Sequence, residues 1–315
     1  MKHALITGSL GQDGYFLSEF LCKKGYRVFG MTRQAPRTDL PIESVEYIHG
    51  DLRDEVSLEV AIRKSWPDEI YNLGGQTFVP TSWEYSAETF DVNTGGIARI
   101  LKIVEQEKPD TKVYQASSSE MFGNYDGACN EDTLFSPMSP YGASKVAAHQ
   151  LCALYRSRGL FVVSGILFNH ESERRGGEMV TRKIARHVAQ WARGSLRPLR
   201  LGNMDTRRDW GFSGDYVRAM WMMLQQEKPE NFVIGTGESY SVREFVEHAC
   251  LHAGVKCGEI EIDKRMQRTQ EIFNLRADPR KAYRVLGWRP DLTFEGLVGR
   301  MVSAELRRLG KAVCA

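Results

Sequence analysis

The sequence predicts an α/β protein: a doubly wound parallel sheet followed by a smaller, mixed α/β C-terminal domain. Three observations predict it. Short apolar runs alternate with longer amphipathic stretches through the first half of the 315-residue chain. That is the pattern of parallel strands covered by helices on both faces. A glycine-rich turn, TGSLGQDG, closes the first apolar run by residue 14. After residue 168 the rhythm changes and the chain turns basic. The length suits two domains at about 100–200 residues each, drawn at 1–168 and 169–315.

The elements follow in order. HALIT at 3–7 is a buried strand, and 14–24 reads as a helix. YRVFGMT at 26–32 is the second strand, and VEYIHG, before Asp51, the third. A helix over 56–65, the strand DEIYNL at 68–73, a longer helix near 89–106 and the strand KVYQASS at 112–118 continue the alternation. The segment 140–159 is a helix ending at Gly159, and LFVVSGILF at 160–168 is the next strand. Beyond it come a helix near 178–193, a short strand near 199–202, a helix near 214–226 and a strand at 231–237 that is free to return to the main sheet. Helices near 241–253, 278–286 and 293–309 close the chain.

Composition sets limits. A hydrophobic fraction of 42% and a charged fraction of 26% are those of an ordinary globular protein and exclude disordered and fibrous classes. No apolar run approaches the ~18 residues of a membrane helix. The opening residues read as a strand entering a turn, without a leader, so a cytoplasmic protein away from membranes is expected. The six cysteines form no CxxC pair and read as reduced thiols. His248 and His252 flank Cys250 at helical spacing, but Ser241 with Glu244 fits a capping box on the same helix, and no metal is expected.

The net charge of +2 hides an asymmetry: from Arg174 to Arg208 there are ten Lys/Arg and two acids. The segment suits a small polyanion such as a nucleotide diphosphate. It lacks the interleaved aromatics of a nucleic-acid binder, so nucleic acid is not expected.

Gly8, Gly11 and Gly14 lie between a strand and a helix, in the turn that also holds Gln12 and Asp13. Glycines there let the backbone approach a pyrophosphate, which the helix N-terminus then receives. This is the phosphate turn of a Rossmann domain. NAD binding usually places an acid at the end of the second strand; this chain has Arg33, with Arg37 nearby and no acid before Asp39. Arginine suits a ribose 2′-phosphate, so NADP is the expected cofactor. Asp51 and Leu52 would flank its adenine.

Tyr141 and Lys145, in YGASK, share one helix face. An ammonium beside a phenol lowers the phenol's pKa from ~10, making a base able to take a hydroxyl proton while hydride leaves the same carbon.

With these motifs the chain resembles the extended short-chain dehydrogenases/reductases that act on nucleotide sugars, and within them the GDP-mannose 4,6-dehydratases. The matching stretches are TGSLGQDG, YNLGGQTFV, QASSSEMFG, SPYGASK, GILFNHES, VTRKI, LGNMDTRRDWGFSGDYV and VIGTGES followed by SVREF. The resemblance implies catalytic Ser118, in place of the family's usual threonine, with Glu120, Tyr141 and Lys145. It implies an NADP site that includes Leu73 and Gly75. Asn169 would meet the diphosphate and Glu171 the sugar; Val180, Lys183, Leu201, Gly202, Arg208 and Glu271 would form the rest of the GDP-sugar site. The implied reaction turns GDP-mannose into GDP-4-keto-6-deoxymannose and water. A dehydratase of another GDP-sugar, a heptose or amino sugar, stands as the alternative, and a 4-ketoreductase or epimerase after it. Three departures from the family pattern stand out: a short loop after Arg33, NLGGQT in place of NLAAQS, and RTQE without its proline. The first favours a homodimer over a homotetramer.

Overall fold

A computed structural model describes residues 1–34, 42–266 and 270–313. Arg37, Asp39, Arg268 and Cys314, weighed above, lie outside the described residues.

The first half alternates as its sequence implies: β1 His3–Thr7, α1 Gln12–Lys23, β2 Arg27–Thr32, β3 Val45–His49, α2 Glu55–Ser65 and β4 Glu69–Asn72. Short helices α3 Thr81–Glu84 and α4 Ser86–Phe90 run through a π-turn, Asp91–Gly95, into α5 Gly96–Glu107. Next come β5 Lys112–Ser118, β6 Ala128–Cys129, α6 Pro140–Ser157 and β7 Val162–Leu167. The second half holds β8 Asn169–Glu171, α7 Val180–Trp191, β9 Leu199–Leu201, β10 Arg207–Arg208, β11 Trp210–Phe212 and α8 Ser213–Leu224. It closes with β12 Phe232–Ile234, β13 Tyr240–Ser241, α9 Val242–Ala253, β14 Ile260–Ile262, β15 Asn274–Ala277 and α10 Phe294–Val313.

The main sheet has the order β3-β2-β1-β4-β5-β7-β12, and every pairing in it is parallel. Both faces are covered. On one, Leu17 and Leu21 of α1 and Val217, Met220 and Leu224 of α8 pack on Ile6 and Tyr114. On the other, Leu58 and Ile62 of α2, Ile97, Leu101 and Val104 of α5 and Cys152 of α6 pack on Leu5, Ile70 and Val113. Burial from both sides is why β7 is apolar or small at every position. Strand order reverses between β1 and β4, which opens a crevice at the carboxyl ends of the strands, where ligands of such sheets bind.

The later elements build a separate layer. Ile184, Val188 and Trp191 of α7, Phe245 and Val246 of α9, and Leu297 and Met301 of α10 enclose Trp210. The capping box at Ser241 and Glu244 forms as its spacing predicts, and α9 ends at Gly254 with φ +66°. That left-handed cap reverses the chain and carries Cys257 back against Cys250, where the two form a disulfide with Cα atoms 5.7 Å apart. The expectation of reduced thiols is corrected at this pair. Cys22, Cys129 and Cys152 are free. His252 is bonded to Ser303, so it and Cys250 both have other partners. The helix expected near 278–286 is shorter, a π-turn over Ala282–Leu286. Among the described residues no helix is long and apolar enough to cross a membrane.

Candidate active site

At the carboxyl ends of β5 and β7 lies a cavity of about 800 Å³. Ser118 and Glu120 enter it from the end of β5, and Tyr141 and Lys145 from α6. Ser139 caps α6 by accepting from the Gly142 amide, and Pro140 opens the first turn, which places Tyr141 and Lys145 one turn apart against β5. The Ser118 hydroxyl accepts from the Glu120 amide at 3.2 Å and is hydrogen-bonded to the Tyr141 phenol. Lys145 Nζ donates to the Ala116 carbonyl at 3.0 Å and lies 5.8 Å from the centre of the Tyr141 ring.

The electrostatics differ from expectation. Burial pushes the Tyr141 phenol up to about 12, against the lowering effect of the Ser118 hydrogen bond. Burial also brings Lys145 down to about 8. Spacing alone suggested a phenol lowered by its lysine; in the fold, removal from water outweighs the lowering effects of Ser118 and Arg175.

The substrate residues inferred from the resemblance line the same cavity: Asn169, Glu171, Val180, Lys183, Leu201, Gly202, Arg208 and Glu271. Their side chains are not equally available. Glu171 is 2% exposed; Thr181 Oγ1 donates to its Oε2 at 2.7 Å, and Arg175 Nε stands 3.0 Å from the same oxygen. Glu171 therefore holds the first turn of α7 and aims Arg175. Arg208 donates to the Arg207 and Ile272 carbonyls, each at 2.8 Å, and lies 3.8 Å from Glu271. Lys183 Nζ reaches Met266 Sδ at 3.3 Å.

The cofactor candidates divide. Asp13 and Leu73 line the cavity. Gly8, Gly11, Gln12, Gly14, Arg33, Asp51, Leu52 and Gly75 are not among its lining residues; they fall in the segments that follow β1 to β4 in the chain. Gly8 has φ +66°, and a Cβ there would sit 2.8 Å from Gly74; a Cβ on Gly14 would sit 2.4 Å from the Gly8 carbonyl oxygen. No side chain caps α1, so its first-turn amides can receive an anion. Arg33, exposed at the end of β2, adds a cation where an acid would serve NAD. These features fit a dinucleotide phosphate. Gln12 and Asp13, however, have protein partners: Gln12 bridges the His170 carbonyl and the Ser172 hydroxyl, and Asp13 accepts from His170 Nε2 at 2.8 Å and from Ser213. Burial alone would raise Asp13, but the charge and hydrogen bond of His170 bring it down to about 2. Asp51 is held by Arg53 at 2.8 Å, and Leu52 is buried.

Sequence reasoning assigned no role to Arg175, His170, Phe78 or Trp83, all of which line the cavity. Arg175 was inside the basic segment, but a count of charge does not say which cation turns inward. Its neighbour Arg174 lies over the Tyr15 ring at 3.5 Å.

Comparison with known proteins places the chain among its relatives. The family model of GDP-mannose 4,6 dehydratase matches residues 5–301. The chain is 44% identical to GDP-mannose 4,6 dehydratase 1 of Arabidopsis thaliana, covering 97% of this chain and 90% of that protein. It is 42% identical to the GDP-mannose 4,6 dehydratase of Homo sapiens, covering 96% and 91%. Among solved structures it is similar to the Thermus thermophilus UDP-glucose 4-epimerase in complex with NAD, with a TM-score of 0.87, 25% identity and 96% and 98% coverage.

Proposed function

The chain belongs to the GDP-mannose 4,6-dehydratase family, and on that premise we propose how its residues divide the reaction. Its activity is the 4,6-dehydration of GDP-mannose to GDP-4-keto-6-deoxymannose and water. The observation that carries the assignment of roles is the meeting of Ser118, Glu120, Tyr141 and Lys145 in one cavity.

A nicotinamide dinucleotide supplies hydride acceptance from C4 and hydride return to C6. Ser118 and Tyr141 hold the sugar 4-hydroxyl, and Tyr141 takes its proton as the C4 ketone forms. Lys145 and Arg175 are the cations that favour the phenolate: Arg175 lowers the phenol's proton affinity in place, and the Lys145 ammonium is anchored on the Ala116 carbonyl. The ketone acidifies C5. Glu120 removes the C5 proton and delivers it to the C6 hydroxyl, which leaves as water. As the hydride returns to C6, C5 takes a proton from solvent and Tyr141 gives up the one it took from the 4-hydroxyl, so enzyme and cofactor end unchanged.

NADP is our reading of the cofactor. Arg33 in place of an acid supports it; the uncapped start of α1 supports a dinucleotide pyrophosphate in general. Arg175, Lys183 and Arg208 supply positive charge for the GDP diphosphate. We also read the chain as an NADP-binding unit, 1–168, and a nucleotide-sugar-binding unit, 169–315, assembled as a homodimer.

The test is incubation with GDP-mannose and catalytic NADP⁺ in heavy water, followed by mass spectrometry. Loss of one water with deuterium gained at C5 is expected. Water loss only from another GDP-sugar would move the substrate, and turnover with NAD⁺ but not NADP⁺ would overturn the cofactor reading.

A further inference from the structure

Tyr141, Lys145 and His149 are spaced by four on α6, and each meets the end of β5. Tyr141 is bonded to Ser118, Lys145 to the Ala116 carbonyl and His149 Nδ1 to the Ser117 hydroxyl at 3.1 Å. The mechanism uses the first two pairs and leaves the third without a role. His149 is 6% exposed and Ser117 4%, and Ser117 lines the catalytic cavity.

The protons in this relay are fixed by its far end. The Arg156 guanidinium can only donate, and it points at Asn231 Oδ1. The Asn231 amide nitrogen therefore faces His149 Nε2, 3.0 Å away, and that ring nitrogen must accept. The imidazole is then neutral, with its proton on Nδ1 and donated to Ser117 Oγ. Burial and the charge of Arg156 keep His149 down at about 4, consistent with a neutral ring. With Oγ already accepting, the Ser117 hydroxyl proton is free to be donated. Its acceptor is not found among the described residues, and Ser117 is one of the residues that line the cavity.

We propose that Ser117 is a further ligand-binding residue of this site, offering its hydroxyl proton to an acceptor oxygen of the bound ligand, and that His149 is the positioning residue that turns the proton toward the cavity. The oxygen belongs to the sugar or to the carboxamide of the cofactor. The inference rests on the nucleotide-sugar reading above.

The experiment compares wild type, Ser117→Ala, His149→Phe, their double variant and Asn231→Asp. It measures KM for GDP-mannose, NADP⁺ affinity by calorimetry and melting temperature. Ser117→Ala is expected to weaken one ligand about five- to tenfold, as loss of one hydrogen bond does, and to lower the melting temperature, because the buried His149 Nδ1–H loses its acceptor. A raised KM identifies the sugar, and weakened NADP⁺ binding identifies the carboxamide. His149→Phe should give the same loss, and the double variant no further loss, because both remove one interaction. Asn231→Asp removes the donor to Nε2 and moves the ring proton there. With the ring neutral, Ser117 then donates to Nδ1 and this variant matches Ser117→Ala even if His149→Phe folds poorly; an imidazolium, seen by NMR as a raised His149 pKa, keeps Nδ1–H on Ser117 and wild-type affinity. Unchanged affinity for both ligands in Ser117→Ala overturns the proposal, as do additive losses in the double variant. Wild-type turnover of GDP-mannose and wild-type NADP⁺ binding report separately on the underlying reading.

Discussion

Asp13 and His170 meet across 157 residues of sequence, and their pairing joins the glycine turn to the strand that carries Asn169. His170 Nδ1 faces the Phe168 carbonyl at 2.7 Å and Nε2 faces the Asp13 carboxylate, so both nitrogens donate and the ring is an imidazolium. Burial lowers His170, but Asp13 raises it further than burial lowers it. The stabilisation from Asp13 is present above the ordinary aspartate value and is lost as pH falls toward 2; that from His170 is lost as pH rises through its raised value. Asp13→Asn should cost about 3–5 kcal/mol, the usual result of leaving one buried charge alone, and chemical denaturation at neutral pH would measure it. Glu120→Gln should fold and bind the cofactor, yet lose at least ~100-fold in turnover, with an oxidised sugar that keeps its C6 oxygen. Normal turnover would remove Glu120 as the C5 base. Since burial holds Lys145 near 8, activity should fall along an alkaline limb with a midpoint near that value. A limb above 10 would mean that its charge is not required.

At the scale of elements, the proposed cofactor site depends on how closely α1 approaches β1. The Gly14 Cα lies so near the turn that a Cβ would come within 2.4 Å of one backbone atom and 2.6 Å of another. Gly14→Ala should therefore tilt α1 and its amides, weakening NADP⁺ by more than tenfold while GDP binding, measured by calorimetry, changes little. The turn and helix were legible in the sequence because glycine spacing and apolar periodicity are local signals. The disulfide was not: it needed the chain reversal at Gly254 to bring Cys257 onto α9. The short strands β8, β10, β11, β13 and β15 were also illegible, since two to four residues carry no periodicity and their pairing is decided by distant partners.

For the whole molecule, charge and surface matter more than any one contact. Of the ten cations between Arg174 and Arg208, three line the cavity: Arg175, Lys183 and Arg208. Others have partners elsewhere: Arg182 with Glu305, Arg200 with Glu261 and Arg207 with Glu244. Raising salt should thus weaken GDP-sugar binding modestly, as partly buried contacts are less screened. Trp83 on α3, Tyr85 between α3 and α4, Phe90 on α4 and Leu154 on α6 are each exposed, and the three helices adjoin. Light scattering is expected to give the mass of a dimer, and Leu154→Glu with Phe90→Glu to give that of a monomer.

The sequence by itself determined the alternation of strands and helices, the glycine turn between β1 and α1 and the placing of Tyr141 and Lys145 on one helix face, because each is written within a few residues of chain. Only the tertiary structure decided which side chains are available. It occupied Glu171 with Thr181 and Arg175, occupied Asp13 with His170, and raised the Tyr141 phenol instead of lowering it. Those outcomes depend on burial and on partners far away in sequence, and desolvation acts on a group only once the fold has closed around it.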